Sequence, residues 1–90
     1  MNVKYFADIR SLTRRGEETW TKAEPDLRSL LKGIAAQYGA AFEKRLFEGD
    51  RISNTIIVFI NGRDIVHLNG LDSPLKADDV VAVFPVVAGG

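Results

Sequence analysis

The sequence has no cysteine, one histidine (His67) and no excess of either charge, with twelve Lys and Arg against twelve Asp and Glu in 90 residues. Each absence closes off a class of protein. A disulfide scaffold, a zinc ribbon, a thiol nucleophile and an iron–sulfur site all need cysteine. A nucleic-acid binder ordinarily carries a basic surplus, so no nucleic-acid partner is expected of a balanced chain. No apolar run approaches the roughly 20 residues that span a bilayer. The opening Met-Asn-Val-Lys-Tyr lacks the charged-then-apolar order of a signal peptide. The expected setting is therefore the cytoplasm, with no membrane partner; the absence of cysteine agrees with a reducing compartment.

What is present is ordinary globular composition, 46% hydrophobic and 27% charged, which excludes disorder. Ninety residues make one small domain with a modest core and little room for a deep catalytic cleft. His67 has no second histidine or cysteine with which to share a metal, and near Asp64 it reads as a loop residue rather than an acid–base pair. Asp78-Asp79 reads as a turn, because two neighbouring carboxylates supply too few oxygens for a divalent cation. Arg14-Arg15, followed by Glu17-Glu18, reads as a solvated turn. No metal site and no bound cofactor are expected.

Residues 3–7 alternate in the period-two manner of a half-buried strand, with Val3, Tyr5 and Ala7 on one face and Lys4 and Phe6 on the other. Thr13 to Gly16 reads as a turn, and β-prone Glu18 to Lys22 as the returning strand of a hairpin. Pro25-Asp26 is a helix start, with Asp26 placed to cap the first turn. Leu27, Leu30, Leu31, Ile34, Ala35 and Tyr38 follow helical spacing, and Gly39 sits where a helix ends. Ala41 to Phe47 forms a short second helical stretch, and Glu48 to Asn54 is a polar loop. Thr55 to Ile60 reads as a buried strand, Asn61-Gly62 as a tight turn, and Asp64 to Val66 as a short return. Gly70 to Pro74 is loop, and Val80 to Phe84 is the last strand. Two hairpin-like pieces flanking one amphipathic helix predict an α+β fold, a mixed sheet of about five strands crossed on one face by the helix. This is the β-grasp, or ubiquitin-like roll, over residues 1–84, with residues 85–90 as an extended tail.

The tail is the unusual segment. Residues 80–90 carry no charged side chain, and the last two are Gly89 and Gly90. At about 7% glycine usage, such a pair arises by chance in roughly 0.5% of chains. A frayed terminus is the plain explanation. The functional one is that glycine, lacking Cβ, threads channels too narrow for other residues. The Gly90 carboxylate is then presented beyond the folded body, where an activating enzyme can convert it to an acyl-adenylate. Sulfur transfer onto that acyl group gives a thiocarboxylate; capture by an amine gives an isopeptide bond.

Several stretches resemble the small subunit of molybdopterin synthase, within the MoaD/ThiS ubiquitin-like family. They are Val3-Lys4-Tyr5-Phe6-Ala7 with Arg10, the Ile60-Asn61-Gly62-Arg63-Asp64 turn, Gly70-Leu71-Asp72-Ser73-Pro74-Leu75, and Val80 through Gly90. The resemblance covers essentially the whole chain and is most specific at the C-terminus. It implies a sulfur carrier adenylated by a ubiquitin-activating-like adenylyltransferase, which consumes the ATP, and thiocarboxylated on Gly90. Gly89 and Ala88 would allow the tail to thread into the large synthase subunit. The chain departs from the common family pattern at Pro85-Val86, where Pro-Pro is frequent, and at Asp78-Asp79, where Gly-Asp is common. Its Asn61 to Leu75 segment is similar to a branch that includes archaeal small ubiquitin-like modifiers, which implies protein conjugation targets as alternative partners.

Strand parity adds a docking surface. With Val81 and Val83 facing the helix, Ala82 and Phe84 face outward beside Phe6 on the neighbouring first strand. Exposed apolar patches tend to mark partner sites, and Pro85 continues the patch toward the tail. The resemblance places Arg10 beside it, able to pair with an acidic group on the partner.

Overall fold

The computed structural model of the chain describes residues 1–86; the expectations resting on Ala88, Gly89 and Gly90 lie outside the described residues. In chain order the elements are β1 (Asn2–Tyr5), α1 (Ala7–Thr13), β2 (Glu17–Thr19), α2 (Leu27–Tyr38), α3 (Ala40–Leu46), β3 (Phe47–Glu48), β4 (Arg51–Ile52), β5 (Ile56–Ile60), β6 (Arg63–Asp64) and β7 (Val80–Pro85). Five strands form one sheet in the order β2-β1-β7-β5-β6, and β3 and β4 pair as a separate small hairpin. β1 and β7 run parallel at the centre, Val3 beside Val81 and Tyr5 beside Val83, while the other pairings are antiparallel. A mixed sheet with its first and last strands adjacent and a helix over one face is the β-grasp arrangement.

The apolar stripe of α2 explains which face is covered. Leu27, Leu30, Leu31 and Ile34 are fully buried, together with Val3, Tyr5, Val58, Val81 and Val83 from the sheet and Phe42 and Leu46 from α3. Burying each such side chain contributes about 1.5–3 kcal/mol. Asp26 caps α2 by accepting the Ser29 N–H at 2.9 Å, and the backbone reverses at Gly39, whose φ of 102° suits glycine. The Ser29 N–H holds the Asp26 carboxyl below the usual carboxylate range. Replacing Asp26 with Ala is expected to cost about 1 kcal/mol, visible as a fall of about 4–8 °C in the thermal midpoint.

Some local expectations are corrected. The first strand ends at Tyr5, so Ala7 does not face the core: it is exposed, has φ of 53°, and opens α1. The β1–β2 connection is thus a helix-containing loop rather than a simple turn, because Ile9 and Thr13, one turn apart, bury against the body. The returning strand is Glu17–Thr19, not Glu18 to Lys22. The polar Glu48 to Asn54 segment contains the β3–β4 hairpin, turned at Gly49 with φ of 64°. After Asn61-Gly62 the return strand is only Arg63–Asp64, and the chain winds into 3-10 turns at Ile65–His67 and Gly70–Asp72.

Candidate functional site

The site is built on the sheet face that α2 leaves uncovered. Side chains alternate across β7, so Val81 and Val83 enter the core while Ala82 and Phe84 emerge on the opposite face. Register places Ile57 beside Phe84 and Phe59 beside Ala82 on β5, with Lys4 of β1 on the other side of Ala82. Phe84 lies at the centre of an aromatic trio, 5.3 Å from the Phe6 ring in an edge-on contact and 5.2 Å from Phe59 in a tilted one. Such offset geometries suit the ring quadrupoles. Phe6, Ala7, Phe84 and Pro85 line a shallow groove of about 330 Å³, and Phe6 is 44% exposed.

The backbone fixes this arrangement. Phe6 donates its N–H to the Val83 carbonyl at 3.1 Å, and its own carbonyl accepts from Ile9 at the start of α1. The ring is thereby pinned where β1 ends. Arg45 of α3 holds α1 in place by donating to the Asp8 carboxylate at 2.7 Å and to Thr55 Oγ1 at 2.9 Å. Its guanidinium keeps the half-exposed Asp8 carboxyl below the usual range. Pro85 occupies the last position of β7 opposite Ile56, and Val86 donates to the Thr55 carbonyl at 2.8 Å. The strand that carries Phe84 therefore runs one residue beyond the expected Val80 to Phe84, and the first two residues of the expected 85–90 tail are paired with β5 and the residue before it.

Ala82 and Phe84 thus share one face with Phe6, and Pro85, next along β7, lines the groove beside Phe6, Ala7 and Phe84. Arg10 does not line the groove: it is exposed on α1, and its guanidinium carbon lies 3.3 Å from where a side chain on Gly16 would begin. Phe59 and Ile57 were absent from the sequence-derived site. The unbroken run Ile56-Ile57-Val58-Phe59-Ile60 reads as a strand buried on both faces; parity groups Ile57 with Phe59, and their register beside Phe84 and Ala82 assigns that pair to the face α2 leaves uncovered. Asp79 is buried, accepting from Asn61 Nδ2 and the Lys76 N–H, both at 2.8 Å, as a turn residue does. His67 is exposed. No helix among the described residues is long and apolar enough to cross a membrane.

Behind the groove, the Glu18 carboxylate on β2 accepts from Tyr5 Oη at 3.0 Å and from Tyr38 Oη. Burial, then the adjacent carboxylate, pushes both phenols upward from the usual tyrosine range. The neutral phenols are the forms the fold favours. Their stabilisation is complete below about pH 10, where an unfolded tyrosine ionises, and is lost as pH rises beyond it. The thermal midpoint is expected to drop above that pH, and Tyr5→Phe to shrink the alkaline drop; an equal drop in wild type and variant would refute the assignment.

The sequence profile of the ThiS family matches residues 3–90. The chain belongs to the ThiS family. This ThiS-family chain is 31% identical over 91 residues to small archaeal modifier protein 3 of Haloferax volcanii, an alignment spanning 100% of this chain and 98% of that one. The solution structure of small archaeal modifier protein 1 from Methanosarcina acetivorans superposes with a TM-score of 0.85 at 30% identity, covering 99% of this chain and 94% of the other. A Pyrococcus furiosus protein provisionally named molybdopterin converting factor, subunit 1, superposes at 0.73 with 31% identity, covering 96% and 95%. The fold of the ThiS-family chain is thus the ubiquitin-like β-grasp of these relatives.

Proposed function

We propose that this chain is a sulfur carrier whose Gly90 carboxylate is activated by a ubiquitin-activating-like adenylyltransferase. The observation that carries this reading is the continuity of β7, which presents Phe84 on an apolar docking face and then leads toward Gly89-Gly90, with the family match running through residue 90. In the first step a Gly90 carboxylate oxygen attacks the α-phosphorus of ATP on the partner enzyme, releasing pyrophosphate. A sulfur nucleophile at the hydrosulfide level then attacks the acyl carbon, and AMP leaves with the oxygen that linked it. The product is a thiocarboxylate. Transfer of its sulfur to an acceptor and hydrolysis return the carboxylate.

Every catalytic group in this scheme belongs to partners. This chain supplies the reacting carboxylate at Gly90, clearance at Ala88 and Gly89, and a docking surface of Phe6, Ala82, Phe84 and Pro85, extended by Phe59 and Ile57. As the small subunit of a molybdopterin-synthase-like complex, it would insert its tail into the large subunit and deliver sulfur to a pterin in molybdenum or tungsten cofactor synthesis. The similarity to the Pyrococcus furiosus protein supports that destination. No turnover is expected of the chain alone. ATP–pyrophosphate exchange by the cognate adenylyltransferase tests the shared first step: exchange that requires this chain supports the reading, and exchange that is absent refutes it.

A second reading uses the same activated tail as a protein modifier joined to lysine amines. The full-length similarity to small archaeal modifier protein 3 favours it. Slower-migrating adducts that carry Gly90 in an isopeptide bond would separate it from sulfur carriage.

A further inference from the structure

The outermost bond between β7 and the start of β5 involves more than strand pairing. Thr55, just before β5, accepts the Val86 N–H on its carbonyl at 2.8 Å, in step with the Ile57–Phe84 pair two residues further in. A regular antiparallel pair of this kind exchanges two bonds. Here the Thr55 N–H turns away from Val86 and donates to Ser53 Oγ at 3.2 Å. Ser53 is buried, and its own N–H donates to the Leu46 carbonyl of α3 at 2.7 Å. The Thr55 hydroxyl is held as well: it bonds Ser53 Oγ at 2.7 Å and accepts from Arg45 Nη1 at 2.9 Å. Thr55 is thus fixed through its amide, its hydroxyl and its carbonyl. What its carbonyl holds is Val86, four residues before Gly90.

Arg45 joins this anchor to the docking face. The rest of its guanidinium forks onto Asp8, Nε to Oδ2 at 2.7 Å and Nη2 to Oδ1 at 3.4 Å. Asp8 lies in the first turn of α1, two residues after Phe6. A planar guanidinium bonds in fixed directions, so a single side chain sets Thr55 relative to α1. We infer that Arg45 and Thr55 are positioning residues for carboxyl activation: they fix the direction in which the chain passes Val86, and so where the Gly90 carboxylate arrives once Phe6 and Phe84 are docked. This rests on the reading that Gly90 is activated, and it names the residues of this chain that aim it. Phe6 has an anchor of its own, the bond from its N–H to the Val83 carbonyl at 3.1 Å. Docking and aiming are therefore separable.

The test is ATP–pyrophosphate exchange by the cognate adenylyltransferase, with the full-length chain as the varied substrate. Thr55→Val exchanges the hydroxyl for a methyl and keeps the carbonyl; Arg45→Gln removes the fork. Asp8, Arg45 and Thr55 are partly or fully open to solvent, where ion pairs add little to stability, so both variants should fold; a thermal melt verifies this. Each is expected to lower the rate at saturating chain about tenfold, while the concentration giving half that rate stays within about twofold of wild type. The double variant should be little slower than either single one, because both cut the same chain of bonds. Arg28→Gln, which breaks contacts with Asp72 and the Asp50 carbonyl and touches none of α1, β5 or β7, should leave both quantities unchanged. Amide hydrogen exchange reads the tether without the enzyme: the Val86 N–H should exchange about tenfold faster in either variant, and the Phe6 N–H at its wild-type rate. An unchanged saturating rate in both variants, a loss confined to the half-saturating concentration, or a Val86 amide indifferent to both substitutions overturns the positioning role while wild-type exchange still supports activation. A wild-type chain that gives no exchange refutes activation of Gly90, and the positioning role with it.

Discussion

Removing Gly90, or Gly89 and Gly90 together, is expected to reduce adenylate formation by at least about 100-fold while leaving the thermal midpoint essentially unchanged. Each residue removed withdraws the chain end by about 3.3 Å, and a misplacement near 1 Å at a reacting centre already costs about 10²-fold. The core explains the spared stability: among the described residues its last member is Val83, seven positions before Gly90. Gly89→Phe should behave similarly, because the obstacle is the width of the partner's channel rather than the reach of the tail. ATP–pyrophosphate exchange and a thermal melt on the same samples check both halves. A truncated chain that still supports exchange would remove Gly90 from the mechanism, and a large loss of thermal stability would place the tail in the core.

Phe84→Asp is the second large effect. Phe84 contacts Phe6 and Phe59 on either side, so a carboxylate there charges the centre of the apolar face. Central aromatic anchors of interfaces commonly cost 2 kcal/mol or more when lost, which is roughly 30-fold in Kd. The variant is expected to bind the adenylyltransferase at least that much more weakly. Its fold should persist, because the Phe84 side chain lies on the face opposite Val81 and Val83. Calorimetric binding against a melting control reads this out. Wild-type affinity in Phe84→Asp would mean that the aromatic face is not the docking surface.

How much was legible in the sequence depends on how local each determinant is. Helix α2 was readable because its stripe, its Asp26 cap and its Gly39 stop all lie within fourteen residues. The central pairing of β1 with β7 followed from the fold class, and with it the neighbouring positions of Phe6 and Phe84. Helix α1 was hidden because the alternation of Val3, Tyr5 and Ala7 continues past the strand's end; burial of Ile9 and Thr13 outweighs that local pattern. Phe59 was hidden for a different reason. In an all-apolar strand no residue type marks the exposed face, and only pairing with Ala82 identifies it. The Gly-Gly ending, by contrast, needs no structure to be noticed.

The central claim is that sulfur is carried on Gly90. Intact-mass and fragmentation spectrometry of the chain isolated from its native cells, with the activating enzyme present, addresses it most directly. The account predicts a population heavier by one oxygen-to-sulfur exchange, located by fragmentation at Gly90. An unmodified carboxylate at that position under sulfur-replete conditions, with no exchanged population, would contradict it.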